Sequence, residues 1–355
     1  MKLNQEQLTA PAHEIKNLND LIFLSTFQQG LVKEVFKFML GQVDGQEVGL
    51  LKSSKLLGKT AGRCGSDYGD NAIDISPKQW DIKRWEIKEK LCYNNFEGTI
   101  ADYSLRKGVN VGDLTGTDIM TAIVEPLMKE EVAKTVFRLA LFGDKDITSA
   151  AIKGDATVEN FNTIDGVWKQ IFVGNTAGKI TRTNVDANTK TTIAAQKTAI
   201  NTNGVASKLI DDFLADAPVT LDQATNKKII LTSGLWKAWL ADVKRNNKGS
   251  EGQWNSIFGG ITTGEINGIK AIVVPFMDEI IQEYQVNETN SGAYNMPYRA
   301  ILTTEENLLL GTNNDTLSLN TFDVFYDKRD DFTYVKAMDT IGALVLDERY
   351  IHVAF

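Results

Sequence analysis

The stretch Gly116–Gly143, GTDIMTAIVEPLMKEEVAKTVFRLALFG, is the strongest indication of the fold, because it carries the clearest helical pattern in the chain. Its apolar residues recur every three to five positions, close to the helical period, at Ile119, Ile123, Leu127, Val132, Val136 and Leu139. Thr117 is suited to capping the first turn, and Gly143 can end the helix in a left-handed conformation. The pattern predicts one long helix over residues 117–142.

The residues before this helix have a different character. Positions 41–79 are polar and glycine-rich and show no strong core pattern, so they indicate a long excursion, as a β-hairpin arm. Between Leu51 and Asp67 every charged residue is basic, namely Lys52, Lys55, Lys59 and Arg63. A basic run is usually a solvated face, and its functional alternative is an arm that contacts an acidic neighbour or a phosphate backbone. Loops of this length are unusual in a compact domain and are usually functional.

The residues after the helix alternate between helical and strand patterns. KKIILTS (227–233) predicts a short buried strand, residues 234–246 predict an amphipathic helix, and GIKAIVVPF (268–276) predicts another buried strand. Such alternation indicates a compact α/β domain. From residue 299 to 355 the pattern is mostly strand.

Composition excludes several classes of function. The chain has 355 residues and a net charge of −8, so it lacks the broad basic surface of a nucleic-acid-binding protein. No apolar run approaches the roughly 18 residues of a membrane span, so no membrane partner is expected. With two cysteines and two histidines, a zinc site is not expected. His352, within YIHVAF, is expected on an aromatic and apolar strand, and we predict no catalytic residues, metal or cofactor.

Two short segments have a chemical alternative. Leu56–Thr60, LLGKT, is half of a phosphate-binding loop, but Ser53 stands where glycine is required and a glycine-rich loop follows instead of a helix. Asp327, Asp330 and Asp331 suggest a divalent metal, but Lys328 and Arg329 lie among them, so a solvated hairpin turn is the preferred interpretation.

The order of these elements resembles the major capsid protein of tailed bacteriophages, the Hong Kong 97-type fold. Gly116–Gly143 looks like the spine helix of the peripheral domain, and Leu51–Asp74 sits where the extended loop of that family would lie. FNTIDGVWKQI (161–171) is similar to the segment after the spine, and AIVVPFMDEII (271–281) to a late strand and turn of the axial domain. RAILTTEENLLLGTNNDT (299–316) is similar to the return into the peripheral domain.

The resemblance implies an α+β Hong Kong 97-type phage capsid fold with four parts. These are an N-terminal arm (1–40), an extended β-hairpin loop (41–79), a peripheral domain (80–165 and 299–355) with its spine helix at 117–142, and an axial α/β domain (166–298).

The resemblance also implies a function without an active site. Copies would assemble as hexamers and pentamers into an icosahedral shell around phage double-stranded DNA, bound without sequence specificity. The extended loop, with Lys52, Lys55, Lys59 and Arg63, would contact the adjacent subunit. A portal is implied, and because about 40 residues precede the arm, a separate scaffolding protein is expected. The protein would be assembled in the host cytoplasm and belong to the virion.

Two alternatives remain open at this point. An encapsulin-type compartment has the same fold and encloses an enzyme instead of a genome. A P-loop nucleotide hydrolase is the more distant one, and it requires nucleotide binding that depends on Lys59.

Overall fold

The computed structural model describes residues 31–53, 73–92, 125–245, 255–257, 261–315, 321–327 and 332–355. The helices, in chain order, are α1 Leu31–Val35, α2 Glu125–Phe142, α3 Val167–Thr176, α4 Ile193–Ile200, α5 Val205–Ala215, α6 Val219–Asp222, α7 Ser233–Arg245 and α8 Pro275–Glu283. The strands are β1 Lys37–Met39, β2 Glu47–Ser53, β3 Ile73–Gln79, β4 Lys83–Cys92, β5 Thr181–Thr183, β6 Lys227–Leu231, β7 Asn255–Ile257, β8 Ile261–Ile266, β9 Ile269–Val273, β10 Ala300–Thr304, β11 Leu308–Gly311, β12 Thr321–Asp327, β13 Phe332–Val345 and β14 Ile351–Ala354.

A five-stranded sheet is built around the long strand β13, which pairs antiparallel with β4, β11 and β12, while β1 adds to β11 in parallel. Helix α2 packs on this sheet, and its apolar face shares one buried cluster with β13. That cluster includes Val132, Val136, Phe137, Val335, Ala337 and Ile341. The predicted long helix ends at Phe142 as expected, and its predicted start at residue 117 lies outside the described residues.

Glycine is required at position 143, directly after α2, but not for the predicted reason. Its φ lies outside the left-handed region, so the expected left-handed ending is wrong. A Cβ at Gly143 would lie 2.5 Å from the carbonyl oxygen of Ile164 and 2.6 Å from that of Leu139. The backbone of Gly166 donates a 2.8 Å hydrogen bond to the Gly143 carbonyl. Glycine is therefore required because two chain segments touch here.

The second sheet has seven strands in the order β5-β14-β10-β6-β9-β8-β7. Its central strands are buried on both faces: Ile229 and Leu231 share a buried cluster with Phe213 on α5, and Ile230 belongs to the cluster that contains Met277 of α8. This explains the continuous apolar runs, because a strand covered on both faces does not alternate with polar residues. The predicted α/β character of this region is confirmed.

The C-terminal strands are divided between the two sheets. Strands β11, β12 and β13 belong to the five-stranded sheet, whereas β10 and β14 pair in the seven-stranded sheet. The predicted division at residue 299 grouped all of them in the peripheral domain, so the division cuts across sheet pairing. Apolar strand sequences specify burial but not the neighbouring strand, and this is why the pattern alone did not separate them.

The end of the predicted N-terminal arm, residues 31–39, is integrated into the body. Val32 and Val35 are fully buried, and Phe36 is 1% exposed. Strand β1 then pairs in parallel with β11. Residues 1–30 lie outside the described residues.

Candidate assembly interface

Strands β2 and β3 form a hairpin that stands apart from both sheets. Seven residue pairs lie in antiparallel register, from Glu47 opposite Gln79 to Ser53 opposite Ile73. Within the described ranges the two strands pair only with each other. The predicted β-hairpin arm is therefore confirmed for its two strands, and residues 54–72, which join them, lie outside the described residues.

The hairpin root, defined as residues 40–46 and 80–82, is closed by hydrogen bonds. The Gly45 amide donates to the Trp80 carbonyl at 2.8 Å, and the Trp80 amide donates to the Gln46 carbonyl at 2.9 Å. The Asp44 carboxylate accepts from the Ile82 amide at 3.0 Å and from Lys83 Nζ at 2.6 Å. The hydrogen bond from Lys83 lowers the pKa of Asp44, so this contact is ionic at neutral pH.

Trp80 anchors the root in the five-stranded sheet. Its side chain is 1% exposed and belongs to a separate small cluster with Ile82, Leu309 and Leu344. The six-membered ring of the indole lies directly over Gly311, where a Cβ would be 2.8 Å from Trp80 Cζ3. Burial of one aromatic residue at the base fixes the direction in which the hairpin leaves the body.

Lys78 ties the hairpin to the connection between β13 and β14. Its Nζ donates to the Val345 carbonyl at 2.8 Å and to Glu348 Oε1 at 2.6 Å. The two charged side chains are only 20% and 19% exposed. Partial burial raises the pKa of Glu348, the hydrogen bond from Lys78 lowers it, and the net pKa is lowered. The base of the hairpin is thus held on two sides.

Apolar side chains are exposed on the root. Val43 is 61% exposed and Leu40 is 38% exposed, and both are among the few large apolar residues at the surface of the described residues. They lie beside the Trp80 anchor, on the segment from which β2 emerges. An exposed apolar pair on a rigid base is suited to contact with another protein surface.

The four predicted interface residues are placed only in part. Lys52 lies on β2, opposite Asp74 of β3 in the strand register. Lys55, Lys59 and Arg63 lie outside the described residues, so their role as contacts stays a prediction. Local sequence patterns do not reveal Asp44, Lys78 or Trp80 as anchors, because their partners are far away in the chain.

The strand that precedes LLGKT is not of the kind that precedes a phosphate-binding loop. Such a loop follows a buried strand and opens a helix. Ser53 instead ends β2, which is paired antiparallel with β3 in a two-stranded sheet. Gly58, Lys59 and Thr60 themselves lie outside the described residues.

His352 lies on a strand, β14, as predicted, and is fully buried. Its ring nitrogens contact Thr181 Oγ1 at 2.6 Å and Thr183 Oγ1 at 3.0 Å, and the ring stacks on Phe213. Burial lowers the pKa of His352, which keeps the imidazole neutral between two hydroxyls. A histidine without access to solvent in this setting serves packing.

Other candidate sites were also placed. The acidic segment around Asp327 joins β12 and β13, which pair as an antiparallel hairpin with Asp327 opposite Phe332; the turn residues 328–331 are outside the described part. Among the residues that the structure describes, no group of three or more His, Cys, Asp or Glu could hold a metal ion. No described helix is long and apolar enough to cross a membrane.

No protein-family model matches the chain, and no curated protein sequence matches it. A solved structure of Gordonia phage Cozz is similar with a TM-score of 0.51 and 12% sequence identity, over 92% of this chain and 86% of that chain. The chain has a capsid-like fold of the Hong Kong 97 type. The satellite phage P4 procapsid matches with a TM-score of 0.49 and 10% identity, over 97% of this chain and 98% of that chain. An encapsulin complex from Synechococcus elongatus matches with a TM-score of 0.47 and 8% identity, over 91% and 85% of the two chains.

In this capsid-like fold the hairpin contacts one of the two sheets. The five-stranded sheet takes all its strands except β1 from residues 80–165 and 299–355, whereas the seven-stranded sheet takes all its strands except β10 and β14 from residues 166–298. Trp80 of the hairpin root and Lys78 of β3 both contact the five-stranded sheet. The domain boundaries remain a prediction.

Proposed function

We propose that the chain is a major capsid protein that self-assembles as hexamers and pentamers into an icosahedral shell around phage double-stranded DNA. The observation that carries the proposal is a hairpin on a capsid-like fold that, within the described residues, pairs with neither sheet and whose root is held by hydrogen bonds and by the buried Trp80. No step of this function requires an active site.

The hairpin itself supports assembly. An isolated two-stranded ribbon is marginally stable in water and gains stability when it packs against another surface. Here the base is rigid, so a contact made by the outer part constrains the orientation of the whole subunit. Identical copies that make such contacts head to tail can close into rings. Lys52, Lys55, Lys59 and Arg63 are proposed to meet carboxylates of the adjacent copy.

The partners follow from the resemblance and the charge. A separate scaffolding protein and a portal are proposed, with assembly in the host cytoplasm and a final location in the virion. A chain with a net charge of −8 repels DNA over most of its surface, which suits a container that does not bind its contents tightly. DNA contacts are proposed to be independent of sequence.

The experiment compares the wild-type chain with a hairpin-truncated variant by negative-stain electron microscopy and size-exclusion chromatography. Residues 54–72 are replaced with Asn-Gly, a two-residue turn that closes antiparallel strands. We expect particles tens of nanometres across from the wild type, with a co-expressed scaffolding protein where one is required, and folded, unassembled subunits from the variant. A matched variant with Gln at Lys52, Lys55, Lys59 and Arg63 keeps the length and tests charge alone.

The contents of the particles separate the alternatives. Nuclease-resistant DNA indicates a phage capsid, whereas an enclosed enzyme indicates an encapsulin-type compartment. Particles formed equally well by the truncated variant would contradict the role of the hairpin. A monomer that hydrolyses ATP, and loses this activity in Lys59→Ala, would overturn the proposed function.

A further inference from the structure

Two chain segments cross between the two sheets: residues 304–308 connect β10 with β11, and residues 345–351 connect β13 with β14. Residues 35–37 form the junction between α1 and β1. Strand β6, at the centre of the seven-stranded sheet, begins beside the β10–β11 crossing and this junction. Any change in the angle between the sheets must move these segments relative to one another.

Lys228 on β6 binds the end of α1 and the β10–β11 crossing at once. Its Nζ donates to the Val35 carbonyl at 2.9 Å, to the Glu34 carbonyl at 3.1 Å and to the Glu305 carbonyl at 3.4 Å. An ammonium has three donors, so these three acceptors use its full capacity. Two of the carbonyls lie at the end of α1, where the helix dipole favours a positive charge.

The charge environment of Lys228 is unusual. The residue is 2% exposed, and this burial lowers the pKa of its ammonium to about 8, although Glu305 and Glu34 raise it. Lys270, which lies opposite on β9 and forms an ion pair with Glu34, lowers it further. Burying a lysine costs desolvation free energy, and its hydrogen bonds to the backbone carbonyls must offset that cost.

Asn307 makes the corresponding contact with the β13–β14 crossing. Its Nδ2 donates to the carbonyls of Asp347 at 2.9 Å and Tyr350 at 3.2 Å, and its Oδ1 accepts from the Asp347 amide at 2.7 Å. Lys228 and Asn307 thus hold the same connection, residues 304–308, against its two neighbours.

We propose that Lys228 is a clip that holds the α1–β1 junction (35–37) and the β10–β11 crossing (304–308) against strand β6, and thereby keeps the two sheets in one orientation. Loss of the clip releases residues 31–39 from the body first, because β1 is only three residues long and is held to β11 alone among the described strands. This device belongs to the folded subunit and does not depend on the proposed function.

The test compares Lys228→Met with Lys270→Met by amide hydrogen exchange of the unassembled subunit. The two lysines lie in direct register on neighbouring strands, but only Lys228 binds the carbonyls. Removing the ammonium leaves three buried carbonyls without their donor, so exchange across Lys37–Met39 and Leu309–Gly311 should accelerate by about tenfold or more. Helix α7 (Ser233–Arg245) is the internal reference and should not change.

Two outcomes overturn the proposal. One is unchanged exchange in Lys228→Met, and the other is equal acceleration in Lys270→Met, which would assign the hold to the Glu34 ion pair. The conservative variant Lys228→Arg keeps the charge and should retain part of the protection.

Discussion

The close contact between Gly311 and Trp80 yields a double-mutant prediction about the hairpin root. In Gly311→Ala the new methyl group would lie 2.8, 3.0 and 3.1 Å from Cζ3, Cη2 and Cε3 of Trp80. All three atoms belong to the outer ring of a side chain that is 1% exposed, so the ring must shift within a packed cluster. Overpacking of this kind typically costs about 1–3 kcal/mol of unfolding free energy.

Trp80→Phe removes the outer ring and leaves space where the methyl group would be. Alone, it should cost about 1–3 kcal/mol, because a buried aromatic residue loses contacts and a small cavity remains. In the double variant the methyl group fills that space. We therefore expect the double variant to lose about 1–2 kcal/mol less than the sum of the two single losses.

The assay is chemical denaturation of the unassembled subunit, followed by far-ultraviolet circular dichroism. Gly174→Ala in α3 is the control, because its new Cβ would meet an aliphatic side chain instead of a ring, 2.7 Å from Cδ1 and 3.0 Å from Cγ1 of Ile180. Ile180 is itself buried, so the cost of moving it offsets the roughly 0.5–1 kcal/mol that alanine gains over glycine in a helix, and this control should lose less than Gly311→Ala. Additive losses in the double variant, or a neutral Gly311→Ala, would refute the packing argument.

Three further perturbations have defined outcomes. Arg299 is 1% exposed, with its guanidinium 5.0 Å from the ring of Trp168, so Arg299→Ala should cost about 3–5 kcal/mol and Arg299→Met clearly less, measured by denaturation. Burial raises the pKa of Asp339 to about 7, so the folded state holds a proton that the unfolded state releases. Stability should therefore fall as pH rises from about 4 to 7. Asp339→Asn should flatten this pH dependence of the melting temperature. Burial lowers the pKa of His352, so its contribution is present above its ordinary value of 6.5 and should be lost as pH falls below it; a slope below pH 6.5 that persists unchanged in His352→Gln would contradict this.

Local sequence patterns predicted those helices and strands that depend only on residues close together in the chain. The apolar spacing up to Leu139 determined the end of α2, and KKIILTS determined β6, because periodicity and burial depend on neighbours a few positions away. The polar, glycine-rich segment 41–79 indicated a hairpin, and its strands β2 and β3 are found.

The tertiary structure alone decided the pairings that join distant parts of the chain. The distribution of the C-terminal strands between two sheets, the packing of Trp80 over Gly311 and the hydrogen bond from Lys228 to the Val35 carbonyl join distant residues, the last pair being 193 positions apart. An apolar strand or a lone lysine specifies burial or charge, but its partner is chosen by the packing of the whole chain. The spacing of apolar residues shows only which face of a helix or strand is buried. Which residues cover that face depends on how distant segments of the chain pack together.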